Sequence, residues 1–198
     1  MPSLVVPFRG VEGKSRLGPM TRASRAALAS AMLSDVLAAC LAVGPTYVVG
    51  PPETDAEGAV LVRDPGGGQG AAVRAGLETA ALAAGGVGPF LIVNADLPCV
   101  TARDLLALAG AVPDDGLALV PAADGTTNAI ALSSAVLYEP VFGPGSAARF
   151  AALAPSRQVD APNIVDDVDT AADLDRLAGR LGPRTRALLT ALRSGAAA

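Results

Sequence analysis

The sequence predicts an α/β fold in which helices cover both faces of a mostly parallel β-sheet. Short apolar segments bounded by Gly and Pro alternate along the chain with longer segments of helical periodicity. The 198 residues are 51% hydrophobic but only 3% aromatic, so the core must come from aliphatic side chains packed between helices and a sheet. A chain of this length is expected to form a single domain over residues 1–198, with a frayed tail at 195–198.

The first half of the chain is predicted to hold four strands and two helices. Residues 4–8 are apolar and form the first strand, and residues 24–43 repeat apolar side chains at helical spacing. Short strands follow at 45–50 and 58–64, because Gly and Pro bound each apolar run. A glycine loop then leads into a helix ended by two glycines, and the run "FLIV" forms a buried parallel-type strand.

The second half is predicted to alternate in the same way. A helix over 101–111 has Thr101 as its cap, and "GLALVPAADGTTNAIALSS" forms two strands around a polar turn. A capped helix follows in "FGPGSAARFAALA". The segment "NIVDDVDTAADLDRL" is expected to be a strand that leads through an acidic turn into a helix, and an Arg-rich helix occupies Pro183–Arg193. Helix arginines such as Arg176 are expected on solvated faces.

Composition excludes several classes of function. The net charge of −4 argues against a nucleic-acid partner, which would need a basic surface. The start "MPSLVVPF" lacks a charged leader region, and no apolar run of roughly 18 residues is free of Gly, Pro and charge, so we expect a cytoplasmic protein without a membrane partner. The chain has no histidine, which excludes Ser-His and Cys-His nucleophiles and His-ligated zinc. Cys40 and Cys99 are expected to be buried free thiols.

Four loops follow predicted strands or acidic turns and carry the candidate chemistry: residues 9–17, 65–70, 94–98 and 166–170. In "DPGGGQGAA", four glycines precede a helix, so backbone N–H groups can approach an anion, for which phosphate is the natural choice. The loop matches neither dinucleotide nor Walker fingerprints. Taken alone, the loop is weak evidence for an anion site, and a flexible surface turn is the better explanation.

Three carboxylates could converge on one hard cation. Asp96 ends an apolar strand, and Asp167 and Asp169 stand two residues apart, so on an extended segment they point the same way. Mg²⁺ prefers a few carboxylates together with water and substrate phosphates. The alternative for Asp169 is helix capping, since "DTAADL" is a good helix start for either Asp169 or Thr170.

Lys14 is the only lysine in the chain, and it stands with Arg16 in the loop after the first strand. There the two side chains could hold a triphosphate, the lysine as a point charge and the arginine as a bidentate fork. The alternative is a solvated basic loop.

The ordered set "PFRGVEGKSRL", "DPGGGQGAAVRAG", "NADLP", "DGTTNAIAL", "FGPGS" and "DVDTAADL" resembles the guanylyltransferases of coenzyme F420 biosynthesis, which are similar in fold to the molybdenum-cofactor nucleotidyltransferases. The resemblance covers about residues 4–177. It implies a three-layer α/β/α, Rossmann-like nucleotidyltransferase fold of the glycosyltransferase-A type. It also implies transfer of GMP from GTP to phosphoenolpyruvate or 2-phospho-L-lactate with release of pyrophosphate, with Mg²⁺ as cofactor, a downstream F420 transferase as partner and a homodimer as one possible assembly.

The resemblance also implies a role for each matched residue. Lys14 and Arg16 would be catalytic phosphate-binding residues, and Asp96, Asp167 and Asp169 would bind the metal. Thr127, Asn128, Gly145 and Ser146 would bind the phosphoacid. The nucleotide would be bound by Pro7, Arg9, Gly67, Gly68, Gln69, Gly70, Asn94 and Ala95.

The chain departs from the family pattern at three positions. Arg9 stands where the family usually has lysine, Gly68-Gln69-Gly70 replaces "GLN", and Thr126 replaces the second glycine of "GGTN". Two rival functions stay open at this point: a molybdenum-cofactor or sugar-phosphate nucleotidyltransferase, and a non-catalytic nucleotide-binding protein. The acceptor also stays open among phosphoenolpyruvate, 2-phospholactate and 3-phosphoglycerate.

Overall fold

The computed structural model describes residues 1–10, 17 and 20–195. Within this part of the chain, seven strands form one sheet in the order β3-β2-β1-β4-β6-β5-β7. The strands are β1 (Ser3–Pro7), β2 (Thr46–Gly50), β3 (Val60–Arg63), β4 (Phe90–Val93), β5 (Leu117–Pro121), β6 (Thr127–Leu132) and β7 (Ser156–Gln158). The helices are α1 (Arg22–Leu41), α2 (Gln69–Ala83), α3 (Ala102–Gly110), α4 (Ser146–Ala151), α5 (Pro162–Val165), α6 (Ala171–Arg176) and α7 (Pro183–Arg193), with a short 3-10 helix at Ala135–Leu137.

The predicted, mostly parallel sheet is confirmed. Strands β1, β2, β3 and β4 pair in parallel, and so do β5 and β7, whereas β6 runs antiparallel to both β4 and β5. Because β5 and β6 form a hairpin around a polar turn, the two strands predicted there are also confirmed. The parallel strands therefore bring their carboxyl ends to one edge, where an α/β sheet binds ligands.

Helices pack on both faces of the sheet, as predicted. One core cluster packs Val6 and Leu91 against Val36 of α1 and Leu105 of α3. A second packs alternate strand residues against α2 and α4. Side chains alternate in direction along a strand, so a fully apolar strand such as β1 supplies both clusters.

Helix α1 is long and apolar enough to meet the length and composition test for a membrane-crossing helix, and 44% of its apolar window is buried. Its buried apolar side chains belong to the core clusters against the sheet and beside α7. Thr21 begins the helix by accepting a hydrogen bond from the Ser24 backbone N–H, so the helix starts two residues before the predicted Ser24. The composition of α1 is thus accounted for by its packing.

The structure corrects the prediction in one segment and adds a strand in another. Asn163, Ile164 and Val165, expected as a strand, belong to the short helix α5, which Pro162 begins at a position where proline suits a helix. Strand β7 is a three-residue, exposed edge strand of polar composition. It lacks the apolar alternation from which a strand can be recognised in a sequence.

Both cysteines are buried and free, as expected. Burial raises the pKa of each thiol above its ordinary value, for Cys40 in the core beside the sheet and for Cys99 after β4. Such thiols are poor nucleophiles and act here as small apolar side chains.

Candidate active site

A cavity of about 250 Å³ opens at the carboxyl edge of β1 and β4. Its polar and charged lining comes from residues of all four candidate loops, and apolar residues of α1 form its floor. The lining residues are Pro7, Phe8, Arg9, Gly10, Ala29, Met32, Gln69, Asn94, Ala95, Asp96 and Asp169. Residues distant in sequence thus meet where the fold predicts a ligand site.

Asp96, Asp167 and Asp169 lie together beside this cavity. One carboxylate oxygen from each is within 4.8 Å of the other two. A backbone hydrogen bond joins the two acidic segments, since the Val168 N–H donates to the Asp96 carbonyl oxygen at 3.1 Å. Hard cations prefer oxygen ligands of this kind, so the three carboxylates fit a divalent metal such as those that NTP-dependent enzymes use.

Thr170, and not Asp169, caps helix α6. The Thr170 hydroxyl accepts a hydrogen bond from the Asp173 backbone N–H, and the Asp173 carboxylate accepts one from the Thr170 backbone N–H at 2.8 Å. This reciprocal arrangement is a capping box. The Asp169 carboxylate therefore belongs to the acidic group instead of to the helix start.

Asp166 and Asp173 flank the acidic group, and their carboxylates stabilise the fold through ion pairs and hydrogen bonds. Burial acts to raise the pKa of Asp173, but hydrogen bonds from Arg176, Thr170 and the backbone outweigh it and hold the pKa at about 2. At Asp166, hydrogen bonds from Arg180 and Arg176 likewise outweigh burial and lower the pKa. These two arginines contact Asp166 at 2.8 and 2.5 Å. Arg176, expected only to be solvated, thus helps to hold the segment before Asp167.

The glycine loop has a backbone that only glycine adopts readily. Gly66, Gly67 and Gly68 have φ values of +79°, +86° and +88° and lead directly into α2. Gln69, the first residue of α2, donates a side-chain hydrogen bond to the Asn94 Oδ1 at 2.9 Å. This bond ties the glycine loop to the end of β4, close to Asp96. A helix start with successive glycines before it can bind an anion through backbone N–H groups.

A larger cleft of about 850 Å³ continues from the first cavity, and Arg9 and Gln69 line both. Its other lining residues come from the glycine loop, one flank of α2 and the 140–143 segment. The Arg9 guanidinium lies 3.9 Å from the place where a Cβ on Gly68 would be. The cleft is thus lined by the Arg9 guanidinium and by the backbone of the glycine loop, and it is large enough for a nucleotide.

Gly70 is packed against Pro140. A Cβ at position 70 would lie 2.6 Å from the Pro140 Cβ, closer than real side chains approach. The Tyr138 hydroxyl also donates to the Gly70 carbonyl oxygen at 3.0 Å. Position 70, where the chain departs from the family pattern, is therefore packed closely against residues 138–140.

The residues expected to bind a phosphoacid are mostly engaged inside the protein. The Ser146 hydroxyl donates to the Thr127 hydroxyl at 3.1 Å, and the two residues are only 0% and 3% exposed. Asn128 donates to the carbonyl oxygens of Ile164 and Val165 at 2.8 and 3.0 Å, so it holds the end of α5 just before the acidic segment. Gly145 is exposed at the start of α4.

Lys14 and Arg16 lie outside the described residues, and their roles stay predictions. The described part of the chain gathers a glycine loop whose backbone N–H groups could bind an anion, Arg9 and three carboxylates at one sheet edge. This arrangement is typical of enzymes that act on nucleoside triphosphates.

Residues 15–181 match the family model of the MobA-like NTP transferase domain, and the chain belongs to that family. It is accordingly a nucleotidyltransferase.

Three curated relatives are named as guanylyltransferases of different acceptors. A phosphoenolpyruvate guanylyltransferase of Sphaerobacter thermophilus is 41% identical over 62% of this chain and 61% of its own length. A 2-phospho-L-lactate guanylyltransferase of Methanosphaerula palustris is 34% identical over 87% of this chain and 82% of its own. A 3-phospho-D-glycerate guanylyltransferase of Phenylobacterium zucineum is 34% identical over 93% of both chains.

A solved structure supports the fold independently. A protein of Desulfovibrio desulfuricans G20, assigned as a nucleotide-diphospho-sugar transferase, superposes with a TM-score of 0.74. The match covers 98% of this chain and 96% of that one at 17% identity. The predicted three-layer nucleotidyltransferase fold is thereby confirmed.

Proposed function

We propose that this protein is a guanylyltransferase that joins the GMP moiety of GTP to a three-carbon phosphoacid and releases pyrophosphate. The observation that carries the proposal is the group of Asp96, Asp167 and Asp169 beside the glycine loop. A nucleotide-binding protein without catalysis would not need three carboxylates directed at one point. The names of the relatives support GTP as the donor and a phosphoacid as the acceptor.

The three aspartates would hold a divalent ion, which we take to be Mg²⁺. Such an ion, when bound, would neutralise charge on the triphosphate. Arg9 and the backbone N–H groups of residues 67–70 would bind the nucleotide at the junction of the two cavities. Lys14 and Arg16 would stabilise the charge that develops on the departing pyrophosphate.

The reaction needs no side-chain base. A phosphate oxygen of the acceptor attacks the α-phosphorus of GTP, an oxygen–phosphorus bond forms, and the bond between the α-phosphorus and the bridging oxygen breaks to release pyrophosphate. The second pKa of a phosphate monoester lies near 6, so the attacking group is already ionised at neutral pH. The absence of histidine from the chain is consistent with this chemistry. Catalysis then depends on positioning and charge.

Phosphoenolpyruvate is the acceptor that we place first, with 2-phospho-L-lactate and 3-phosphoglycerate after it. All three carry a carboxylate and a phosphate on three carbons. Phosphoenolpyruvate and 2-phospholactate differ by a double bond, whereas 3-phosphoglycerate carries its phosphate on the third carbon and a free hydroxyl on the second. Thr127 and Ser146 would meet the acceptor only if their mutual hydrogen bond opened toward it, whereas Asn128 would act by holding α5 and the acidic segment. Gly145 is exposed and would approach the acceptor through its backbone.

Several parts of the proposal follow from the resemblance alone. They are a cytoplasmic location, one catalytic unit formed by the whole chain, a place in coenzyme F420 biosynthesis, delivery of the product to a downstream transferase and a homodimeric assembly. Light scattering of the purified protein tests the assembly, and co-purification with a deazaflavin transferase tests the delivery.

Pyrophosphate release tests the reaction. The purified protein is incubated with Mg²⁺, one nucleotide from GTP, ATP and CTP, and one acceptor, which is either one of the three phosphoacids or a sugar phosphate. We expect release that requires both the metal and a phosphoacid and that is fastest with GTP. Release from CTP or ATP with a sugar phosphate would instead support a sugar-phosphate nucleotidyltransferase. GTP binding without any release would support a non-catalytic role.

A further inference from the structure

We propose that Val168 is a positioning residue, through which the carboxy-terminal helices set the geometry of the acidic group. The inference rests on the proposed metal site. Asp167 and Asp169 bring carboxylate oxygens to Asp96, whereas the side chain of Val168 between them is completely buried in an apolar cluster. The alternation of neighbouring side chains thus places two candidate metal ligands on one side of the segment and an apolar anchor on the other.

The cluster that receives Val168 joins the start and the end of the chain. Besides Val168, it includes Leu28, Met32, Leu174, Leu177, Leu181 and Leu189. Most of these side chains come from α1, α6, α7 and the connection between the last two helices. Met32 also lines the smaller cavity, so the cluster forms part of the floor of the site. Close packing on all sides leaves Val168 little freedom to move.

Both acidic segments are tied to the same carboxy-terminal structure. On one side, Val168 enters the cluster while its backbone N–H donates to the Asp96 carbonyl oxygen at 3.1 Å. On the other side, the Gly182 N–H, just before α7, donates to the Pro98 carbonyl oxygen at 2.7 Å. Pro98 follows Asp96 by two residues. The helices therefore restrain the two segments relative to each other.

Helix α7 is itself held by a buried carboxylate of α1. Asp35 is 6% exposed and accepts hydrogen bonds from the backbone N–H groups of Arg184 and Thr185 at 3.0 and 2.9 Å. Both donors belong to the first turn of α7, where no helical carbonyl is available to them. The chain of restraint thus runs from α1 through α7 and the apolar cluster to Val168 and the acidic group.

Metal binding by Val168→Ala, compared with Val36→Ala, tests this inference. Val36 is also completely buried, but it lies in α1 within a different cluster. Both variants lose the same two methyl groups from a packed interior, so their effects on stability should be similar. Mn²⁺ binding to the folded protein is measured by electron paramagnetic resonance, without substrates, well below each unfolding temperature. The Mg²⁺ concentration for half-maximal pyrophosphate release is measured in parallel.

We expect Val168→Ala to weaken Mn²⁺ binding by about tenfold and to raise the Mg²⁺ requirement by a similar factor, as changes behind metal ligands commonly do. Val36→Ala should bind Mn²⁺ like the wild type. Val168→Ile keeps a branched apolar side chain at this position and should therefore bind Mn²⁺ more tightly than Val168→Ala does. If both alanine variants bind Mn²⁺ like the wild type, or lose binding equally, the positioning role is refuted while the proposed function stands. If the wild type binds no Mn²⁺, the metal site and this inference both fail.

Discussion

Asp169 allows the cleanest test of the proposed metal site, because Thr170, and not Asp169, caps helix α6. Asp169→Asn keeps the size of the side chain and leaves the capping box intact. We expect metal-dependent pyrophosphate release to fall by at least about 100-fold, since changes behind the ligands alone cost 10- to 100-fold. The unfolding temperature should change little.

The matched control for that prediction is Asp175→Asn. Asp175 is an exposed acidic residue of the neighbouring helix and pairs with Arg193, outside the acidic group. Its substitution should leave turnover unchanged. Normal turnover in Asp169→Asn would remove Asp169 from the metal site.

Gly70 departs from the family pattern, and its contact with Pro140 predicts what restoring an asparagine would do. A side chain at position 70 must displace the Pro140 ring, whose Cβ would be 2.6 Å from the new Cβ. We expect Gly70→Asn to lower the free energy of unfolding by about 1–3 kcal/mol, as overpacking does, and not to sharpen the preference for GTP. Urea unfolding and the GTP-to-ATP rate ratio provide the two measurements.

The double variant Gly70→Asn with Pro140→Gly supplies the control. Removal of the proline ring should recover part of the lost stability, so the two changes should not be additive. A stable Gly70→Asn variant with stricter selection of GTP would show that the contact with Pro140 does not constrain the nucleotide cleft.

Among the elements, α7 depends on a single side chain for the start of its first turn. Asp35→Ala would leave the Arg184 and Thr185 backbone N–H groups without their acceptor. Loss of such a partner costs about 1–3 kcal/mol of unfolding free energy. Arg184→Ala removes an ion pair between the exposed Arg184 and the mostly buried Glu57, which keeps its hydrogen bond from Ser34, and should cost no more than about 1 kcal/mol. Equal losses in the two variants, measured by urea unfolding, would contradict the anchoring of α7 by Asp35.

The start of α6 has a pH dependence that can be measured. The pKa of Asp173 is held at about 2, below its ordinary value of 3.8, so ionised Asp173 stabilises the folded state at higher pH. This stabilisation is fully present above the ordinary value and is lost as the pH falls toward 2. The difference in unfolding free energy between wild type and Asp173→Asn should therefore be constant from pH 5 to 7 and shrink below pH 4. A difference that stays constant below pH 4 would contradict this account of the capping box.

At the scale of the whole molecule, apolar strands and helices with clear start signals could be predicted from the sequence. Strand β4 is completely apolar, and α7 has the predicted bounds because Pro183 marks its start. Helix α5 and strand β7 could not be predicted, because α5 is barely one helical turn and β7 is polar and exposed, so neither shows a recognisable period. Local patterns identify the apolar strands and the longer helices, whereas α5 and β7 depend on tertiary contacts.

The candidate site was predictable to the same extent. The three aspartates could be predicted as a group, because Asp96 ends an apolar strand and Asp167 and Asp169 stand two residues apart, and the structure brings them together. The bond between Thr127 and Ser146 and the ties from Asn128 to α5 join side chains to distant segments. No local sequence pattern indicates such contacts. The roles of the acceptor-binding residues therefore need the reaction itself as evidence.

The most direct measurement of the central claim uses two labels in one reaction. GTP labelled at the α-phosphorus and phosphoenolpyruvate labelled at carbon are incubated with the protein and Mg²⁺, and the products are separated at once. The proposed reaction predicts one product that carries both labels in equal amounts, together with unlabelled pyrophosphate. Labels that never occur in the same product, with phosphoenolpyruvate or with either other phosphoacid, would contradict guanylyl transfer to a three-carbon phosphoacid.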